Sequence, residues 1–377
     1  MKKRLILIIL IELFIFSAFS QQFGIGLPPV IQASQVPVEH PSVDKNWKVI
    51  FQDNFDSFNT SRWYKANNMI HGTYNPDEGK KSEEPQIYMN SNVDVANGKL
   101  VLETLKLEND SIKCPKVIVP ADTVKCQYNG WHKYTSGWVQ SRKKYKYGYY
   151  EIYSTMPVSD GYWAAFWLWA AQNDIPNNNC WYNEIDVFET NGCKKSVESR
   201  VHWGFNCPHS IEGRIDEMAH EANNYDSVYR WYGVGWNSDK ITWYVDKKEV
   251  RQISNNMMGI GIQNPMYIIM NVALFPPTWH CPVSINSIFP NYMHVDQSNV
   301  YSLKCDSDTP VNEILDFDNF NYAVKQSITL SGTSSIPKGK RIALRATDFI
   351  ELKAGFEVPA GTELYLGVHP CNETVIE

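Results

Sequence analysis

The sequence predicts an all-β chain, a two-sheet β-sandwich followed by a small C-terminal β-rich module. Three observations point there. Between Trp47 and Lys304, short runs rich in Val, Ile, Tyr, Phe and Trp alternate with Asn, Gly, Asp and Pro turns, the texture of closely spaced strands. Helical periodicity is almost absent, a turn over residues 215–222 being the exception. After Cys305 the texture shifts to shorter alternating strands separated by Gly339, Gly355 and Gly361, which suggests a stacked second unit. A chain of 377 residues can hold a full-sized sandwich and such a module.

Residues 1–20 read as an export signal. Lys2, Lys3 and Arg4 precede an apolar run from Leu5 to Phe16 broken only by Glu12, and Ala18 and Ser20 offer small residues for a cut near Ser20. The run is shorter than the roughly 20 residues that span a bilayer. No later stretch is apolar enough, so no membrane span is expected and the mature protein should be secreted or lie at the cell surface or in the periplasm. Residues 21–44, rich in Pro, Gln and Val, read as a leader before the sandwich at 45–305. Asp306-Ser307-Asp308-Thr309-Pro310 opens an expected linker at 306–317. In the module at 318–377, Ile328-Thr329-Leu330, Ile342-Ala343-Leu344, Ile350-Glu351-Leu352 and Leu364-Tyr365-Leu366 are the expected strands.

A net charge of −6 and a pI near 5.9, with no basic tract, exclude a phosphate backbone as partner, so no nucleic acid is expected. Lys143-Lys144 and Lys338-Gly339-Lys340-Arg341 read as solvated faces, an anionic polysaccharide being their functional alternative. Eight cysteines in an exported chain favour disulfides. Cys114 and Cys126 could close a local loop, and Cys305 and Cys371 could tie the two units together. Cys180 and Cys207 would fall opposite each other if a strand over 184–190 pairs with one over 198–205. Cys180–Cys193 is disfavoured, because the strand between them would hold them apart. Cys193 and Cys281 are left without an assignment. Zinc is disfavoured: there is no Cys-x-x-Cys pair and the histidines lack ligand spacing.

The chemistry concentrates in Trp181-Tyr182-Asn183-Glu184-Ile185-Asp186-Val187-Phe188-Glu189. Its β-branched and aromatic residues make it a strand, and period two puts Glu184 and Asp186 on one face. Glu189, five residues beyond Glu184, would point the other way unless a β-bulge near Val187-Phe188 turned it back. Ile185 would then face a core while three acids line a cleft. Two carboxylates about 5–5.5 Å apart serve retaining glycoside cleavage, one as nucleophile and one as acid then base. Asp186 between them could share a proton and keep the glutamates in different protonation states. The competing reading is a half-exposed strand whose acids face water. Aromatic content of 13%, with thirteen Trp, fits core packing and also flat rings for the C–H faces of sugars.

The surroundings favour the catalytic reading. Gly161-Tyr162-Trp163-Ala164-Ala165-Phe166-Trp167 upstream resembles the Gly-x-Trp-Pro-Ala-Phe-Trp block of glycoside hydrolase family 16, the laminarinase, agarase and carrageenase group, with Ala164 for the usual proline. Glu184, Asp186 and Glu189 match its bulged Glu-x-Asp-x-x-Glu signature, and Val201-His202-Trp203-Gly204 follows. Val49–Asp56, the hairpin Tyr88–Leu102 with its Asn97-Gly98-Lys99-Leu100, Tyr134–Gly137, Tyr147–Glu151, Ile241–Asp246, Pro265–Asn271 and Met293–Asp296 resemble the family's other strands in order. The resemblance covers about residues 45–305. It implies a concanavalin-like jelly roll with a concave, cleft-bearing sheet. The Gly355-Phe356 segment ending in Cys371 resembles a C-terminal module of secreted bacterial proteins, read as a structural or export element, with carbohydrate or surface binding as the alternative.

By the same resemblance Glu184 is the nucleophile, Glu189 the general acid/base and Asp186 their assistant, with no cofactor needed for catalysis. Trp163 and Trp181 are the expected stacking platforms, His202 a contact for a sugar hydroxyl, and Trp279 part of the rim. Many members carry a structural calcium, and the Gly98 carbonyl and Asp296 match its positions, although Asn54 stands where an acid is usual. The implied function is a monomeric endo-acting retaining β-glycanase acting on a polysaccharide, foremost a β-1,3- or mixed-linkage glucan. One departure matters. Asn271-Val272-Ala273-Leu274-Phe275-Pro276-Pro277 replaces the small double-glycine stretch usual in laminarinases, so a β-galactan (agar, porphyran, carrageenan) or a host glycan backbone is the alternative. A non-catalytic sugar-binding sandwich would keep the aromatics but has no need of three acids.

Overall fold

The structure is a computed structural model that describes residues 36–75, 80–108, 112–113, 131–170, 183–203, 213–214, 218–221, 228–255, 262–317 and 320–377. Two large, mostly antiparallel sheets face each other. In the first, strands Lys248–Ser254, Lys240–Val245, Arg230–Trp236, Gly148–Thr155, Asn291–Leu303, Lys99–Lys106, Tyr134–Ser136 and Gln86–Tyr88 lie side by side in that order. Trp47–Asp53 joins along Asn291–Leu303. The second runs Gly213–Arg214, Ser196–Trp203, Asn183–Asn191, Tyr162–Ala170, Met266–Leu274, Trp138–Lys146 and Trp63–Lys65.

Period two decides which residues lie between the sheets. Along Tyr162–Ala170, the even residues Ala164, Phe166, Leu168 and Ala170 enter the core with Ile185, Ile268, Met270 and Val272 of neighbouring strands. From the other sheet come Ile152, Val234, Trp243, Val295 and Val300. Burying each large apolar side chain contributes roughly 1.5–3 kcal/mol. The odd residues therefore face outward on the open side of the second sheet: Trp163, Ala165, Trp167 and Trp169. There Trp167 packs with Trp138, Tyr88, Ile269 and Ala66 into a separate aromatic floor. The same sequence alternation thus builds the core and furnishes the open face.

The module after the sandwich is a stack of four parallel strands, Cys305–Val311, Val324–Leu330, Arg341–Leu352 and Glu363–Val368, among the described residues. Ile314, Phe317, Ile328, Leu330, Ile336, Ile342, Leu344 and Ala346 form its own core. The runs at 342–344 and 350–352 belong to one long strand rather than two. Gly339, Gly355 and Gly361 take positive φ of 75°, 89° and 84°, which lets the chain turn between layers.

Two expectations are corrected. Cys305–Val311, expected to begin a linker, is the first strand of the module's sheet, and Ile314 and Phe317 are buried beneath it. Its polar, half-exposed side chains and Pro310 suit an edge strand, which carries ladder bonds on one side only. The last part of the leader packs on both units: His40 Nε2 bonds the Tyr149 hydroxyl at 2.8 Å, and buried Asp44 pairs with Arg345 of the module. The expected helical turn over 215–222 contains instead the strand Met218–Glu221, paired with Ser196–Ser199, because tertiary pairing overrides a weak helical period.

The two units are tied at several points. Cys305–Cys371 is a disulfide, as expected, and Asn46 Nδ2 donates to the Ala343 carbonyl at 2.8 Å. Beyond the module, Val375–Ile376 returns to pair with Trp138–Lys146 of the sandwich. No helix among the described residues is long and apolar enough to cross a membrane.

Candidate active site

The three acids lie on the strand Asn183–Asn191. Its neighbour Tyr162–Ala170 pairs Trp169 with Glu184, Trp167 with Asp186, then Phe166 with Phe188 and Ala165 with Glu189, so Val187 is the extra residue of a β-bulge. On the other side the register with Ser196–Trp203 shifts at the same place, between Asp186 and Glu189. Ile185, Val187 and Phe188 all point into the core, and Glu184, Asp186 and Glu189 share the open face. The bulge expected from the five-residue spacing is present at the expected place. It places three carboxylates within one short stretch, beside the indoles of the next strand.

Each acid has its own surroundings. Glu189 is buried; one of its oxygens accepts from Trp163 Nε1 at 2.6 Å and the other from Arg200 Nη1. Burial pushes its carboxyl up to about 7, with Asp186 adding to the rise, while Arg200, His202 and the Trp163 bond pull it down. Burial, and then the charge of Asp186, push Glu184 well above the ordinary carboxylate range, with His202 opposing. His202 stands opposite Glu184 in register, and its Nε2 lies 3.2 Å from Asp186 Oδ2. Burial alone would lower the imidazole, but the contact with Asp186 and the charges of Glu184, Asp186 and Glu189 carry it to about 9. Donor atoms of Glu184, Asp186 and His202 all lie within 4.8 Å of one another. An imidazole held protonated at neutral pH is a poor metal ligand, so the trio fits proton sharing better than a cation.

The other expected residues are placed as follows. Trp163 stands beside Glu189, but its ring stacks face to face on Phe275, centroids 4.9 Å apart and 4° from parallel, so one of its faces is already covered. Trp279 closes the same aromatic group 5.4 Å from Trp163. Trp181 lies outside the described residues, as do Cys114, Cys126, Cys180 and Cys207. Gly98 turns the hairpin after Val93–Ala96 with a φ of 68°, and Asp296 accepts from Lys99 Nζ at 2.7 Å. Calcium takes six to eight oxygens. A carboxylate already matched by an ammonium, with one backbone carbonyl, does not supply that set.

Several residues escaped the sequence reading. Glu198 and Arg200 alternate with the expected His202 along their strand onto the face of the acids, a period-two signal that was available. Asn271 Oδ1 accepts from Trp167 Nε1 at 2.7 Å and Asn271 Nδ2 donates to the Tyr88 hydroxyl at 3.0 Å, fixing the aromatic floor. Cys193, just past the acid strand, is bonded to Cys281, which ends the loop that carries Phe275 and Trp279. Asn191 and His280 meet beside it at 2.8 Å. The loop whose sequence departs from the laminarinase pattern is therefore pinned to the end of the acid strand.

The family model of glycosyl hydrolases family 16 matches residues 81–280. A glucan endo-1,3-beta-glucosidase A1 of Niallia circulans is 29% identical over 67% of this chain and 37% of its own length. The chain thus spans little more than a third of that relative. A kappa-carrageenase of Pseudoalteromonas carrageenovora is 26% identical over 69% of this chain and 68% of its own. Among solved structures, an endo-acting O-glycanase of the human gut microbiota superposes with a TM-score of 0.54 at 23% identity, covering 69% of this chain and 92% of that one. That likeness speaks for the jelly-roll fold alone. Over more than half its length, from the second sheet's strands through the bulged acids to the stapled loop, the chain belongs to glycosyl hydrolases family 16.

Proposed function

We propose that this chain is an endo-acting retaining β-glycanase, with a β-1,3- or mixed-linkage glucan as its foremost substrate. The observation that carries the reading is the bulge at Val187, which sets Glu184, Asp186 and Glu189 on one open face. Glu184 attacks the anomeric carbon while Glu189 gives its proton to the departing glycosidic oxygen, and the C–O bond breaks. Glu189, now ionised, takes a proton from water, whose oxygen displaces the Glu184 ester and restores both acids. A Glu189 carboxyl near 7 suits both tasks at neutral pH. Attack needs Glu184 as its carboxylate; the charge of protonated His202 favours that form against burial and the charge of Asp186, and Asp186 hydrogen-bonds Glu184. Trp163 orients Glu189 through its Nε1–H, and half-buried Trp169 offers aromatic surface on the open sheet face above the buried Trp167.

Relatives named for glucans, a glucan endo-1,3-beta-glucosidase and a beta-glucanase, support the glucan assignment. A second reading, a β-galactan or host glycan backbone, is favoured by one feature: Phe275 and Trp279 stack against Trp163 beside the acid/base, where bulky rings reshape the space for the leaving sugar. Export is part of the proposal, supported by the two disulfides. The test is product release from laminarin, mixed-linkage glucan, agarose, porphyran, carrageenan and a mucin-type glycan. Oligosaccharides from the glucans support the first reading; oligosaccharides only from a galactan or mucin glycan move the assignment to the second. No product from any of them counts against catalysis.

A further inference from the structure

We propose that Arg200 is a positioning residue that sets the proton affinity of Glu189, and that Glu198 sets how much of the Arg200 charge Glu189 feels. This deepens the glycanase reading and rests on it for its catalytic meaning. Arg200 sits opposite Asp186 in register, and Glu198 sits opposite Glu189. The guanidinium straddles the two glutamates: Nη1 donates to Glu189 and Nη2 to Glu198. All three side chains are largely withdrawn from water, Arg200 keeping 12% of its surface, Glu189 9% and Glu198 4%.

A general acid has to carry a proton on the oxygen that meets the leaving group. Both Glu189 oxygens instead receive donors, Trp163 Nε1 on one and Arg200 on the other, an arrangement that favours the carboxylate. Left alone, a buried guanidinium at contact distance would hold Glu189 ionised and leave the first step without an acid. Glu198 divides that positive charge, so the proton remains within reach at neutral pH. Arg200 in turn steadies the carboxylate that Glu189 becomes when the leaving group departs. The fork geometry of arginine suits two carboxylates at once, which an ammonium does less well.

Other charges face the same group. Glu184 and Asp186 share its strand, and His202 lies on the strand of Arg200. Lys194, in the turn, reaches Glu198 Oε1 at 3.9 Å, and Ser196 Oγ donates to the same oxygen at 3.2 Å. On the next strand, the register partner of Glu198 is Ala219, an uncharged residue. Trp163 faces Glu189 from the other neighbour with an uncharged donor. Arg200 is the cation in direct contact with Glu189 among the described residues.

The two variants must move Glu189 in opposite directions. The full chain carrying carboxyl-13C-labelled glutamate is titrated by NMR, the Glu189 resonance being assigned by its loss in Glu189→Gln. Arg200→Met is expected to raise the Glu189 midpoint by about 1–3 pH units, and Glu198→Gln to lower it by about one. Arg200→Lys should recover part of the wild-type midpoint and keeps the test open if Arg200→Met does not fold. On a cleaved glycan, the alkaline limb of kcat/KM should follow the same shifts. Midpoints that move together, or stay within about 0.3 unit of wild type, overturn the proposal. If no glycan is cleaved, the glycanase reading fails while the titration still decides the role of Arg200.

Discussion

The Cys193–Cys281 bond joins the end of the acid strand to the loop after Met266–Leu274, across 88 residues of sequence. Replacing both cysteines with serine frees the unfolded chain while leaving most native contacts intact. For a ring of that size the chain-entropy relation gives about 15 cal/mol/K, or roughly 4–5 kcal/mol at 25 °C. The loop retains Asn191–His280 and the Phe275–Trp163 stack as local anchors, so the native state should lose little of its own. The assay is urea unfolding of the oxidised wild type and of Cys193→Ser/Cys281→Ser, followed by tryptophan fluorescence. A loss of about 3–5 kcal/mol is expected. A loss below about 1 kcal/mol would refute the view that this bond constrains the unfolded chain, since even strained engineered bridges are judged on that scale.

Glu184→Gln should lower turnover by roughly 10⁴-fold or more while oligosaccharide affinity, read by calorimetry, stays within a few-fold; surviving turnover would remove Glu184 as nucleophile. Arg345→Met should cost about 3–5 kcal/mol at pH 7, because it strands buried Asp44 without its partner. Burial already raises the Asp44 carboxyl against the pull of Arg345, so the loss should shrink as pH falls and Asp44 takes up a proton. His202 is raised from 6.5 to about 9, so its contribution to stability is fully present below pH 6.5 and is lost as pH rises through about 9. Urea midpoints at pH 6 and pH 9.5 should therefore converge in His202→Gln; an unchanged difference would contradict the pairing with Asp186.

The acid strand was legible because its constraints are local. Five residues from Glu184 to Glu189, with Ile185, Val187 and Phe188 between, call for a bulge if the apolar side chains are to enter the core and all three acids are to share the opposite face. The polar stretch after Cys305 was misleading for the opposite reason. Composition cannot separate a free linker from an edge strand, and the parallel partner Val324–Leu330 that decides it lies beyond the stretch. The Cys193–Cys281 pair depends on a loop from a non-adjacent strand, and no spacing rule reaches across it. Trp163 was expected to offer a ring face to sugar; its indole nitrogen turned out to be engaged by Glu189, and its face by Phe275. Arg200 lay in plain alternation with His202 and Glu198, but its importance appears only once the strand is seen beside Glu189.

The central claim is that Glu184 forms a covalent bond to the sugar with Glu189 as its acid/base. The direct measurement is trapping with a 2-deoxy-2-fluoro oligosaccharide matched to whichever polysaccharide is cleaved, followed by mass spectrometry of the digested protein. The account predicts one sugar ester, on the Glu184 side chain, formed slowly and released by an acceptor sugar. An ester on Asp186 or Glu189, or cleavage with inverted anomeric configuration and no ester at all, would contradict it.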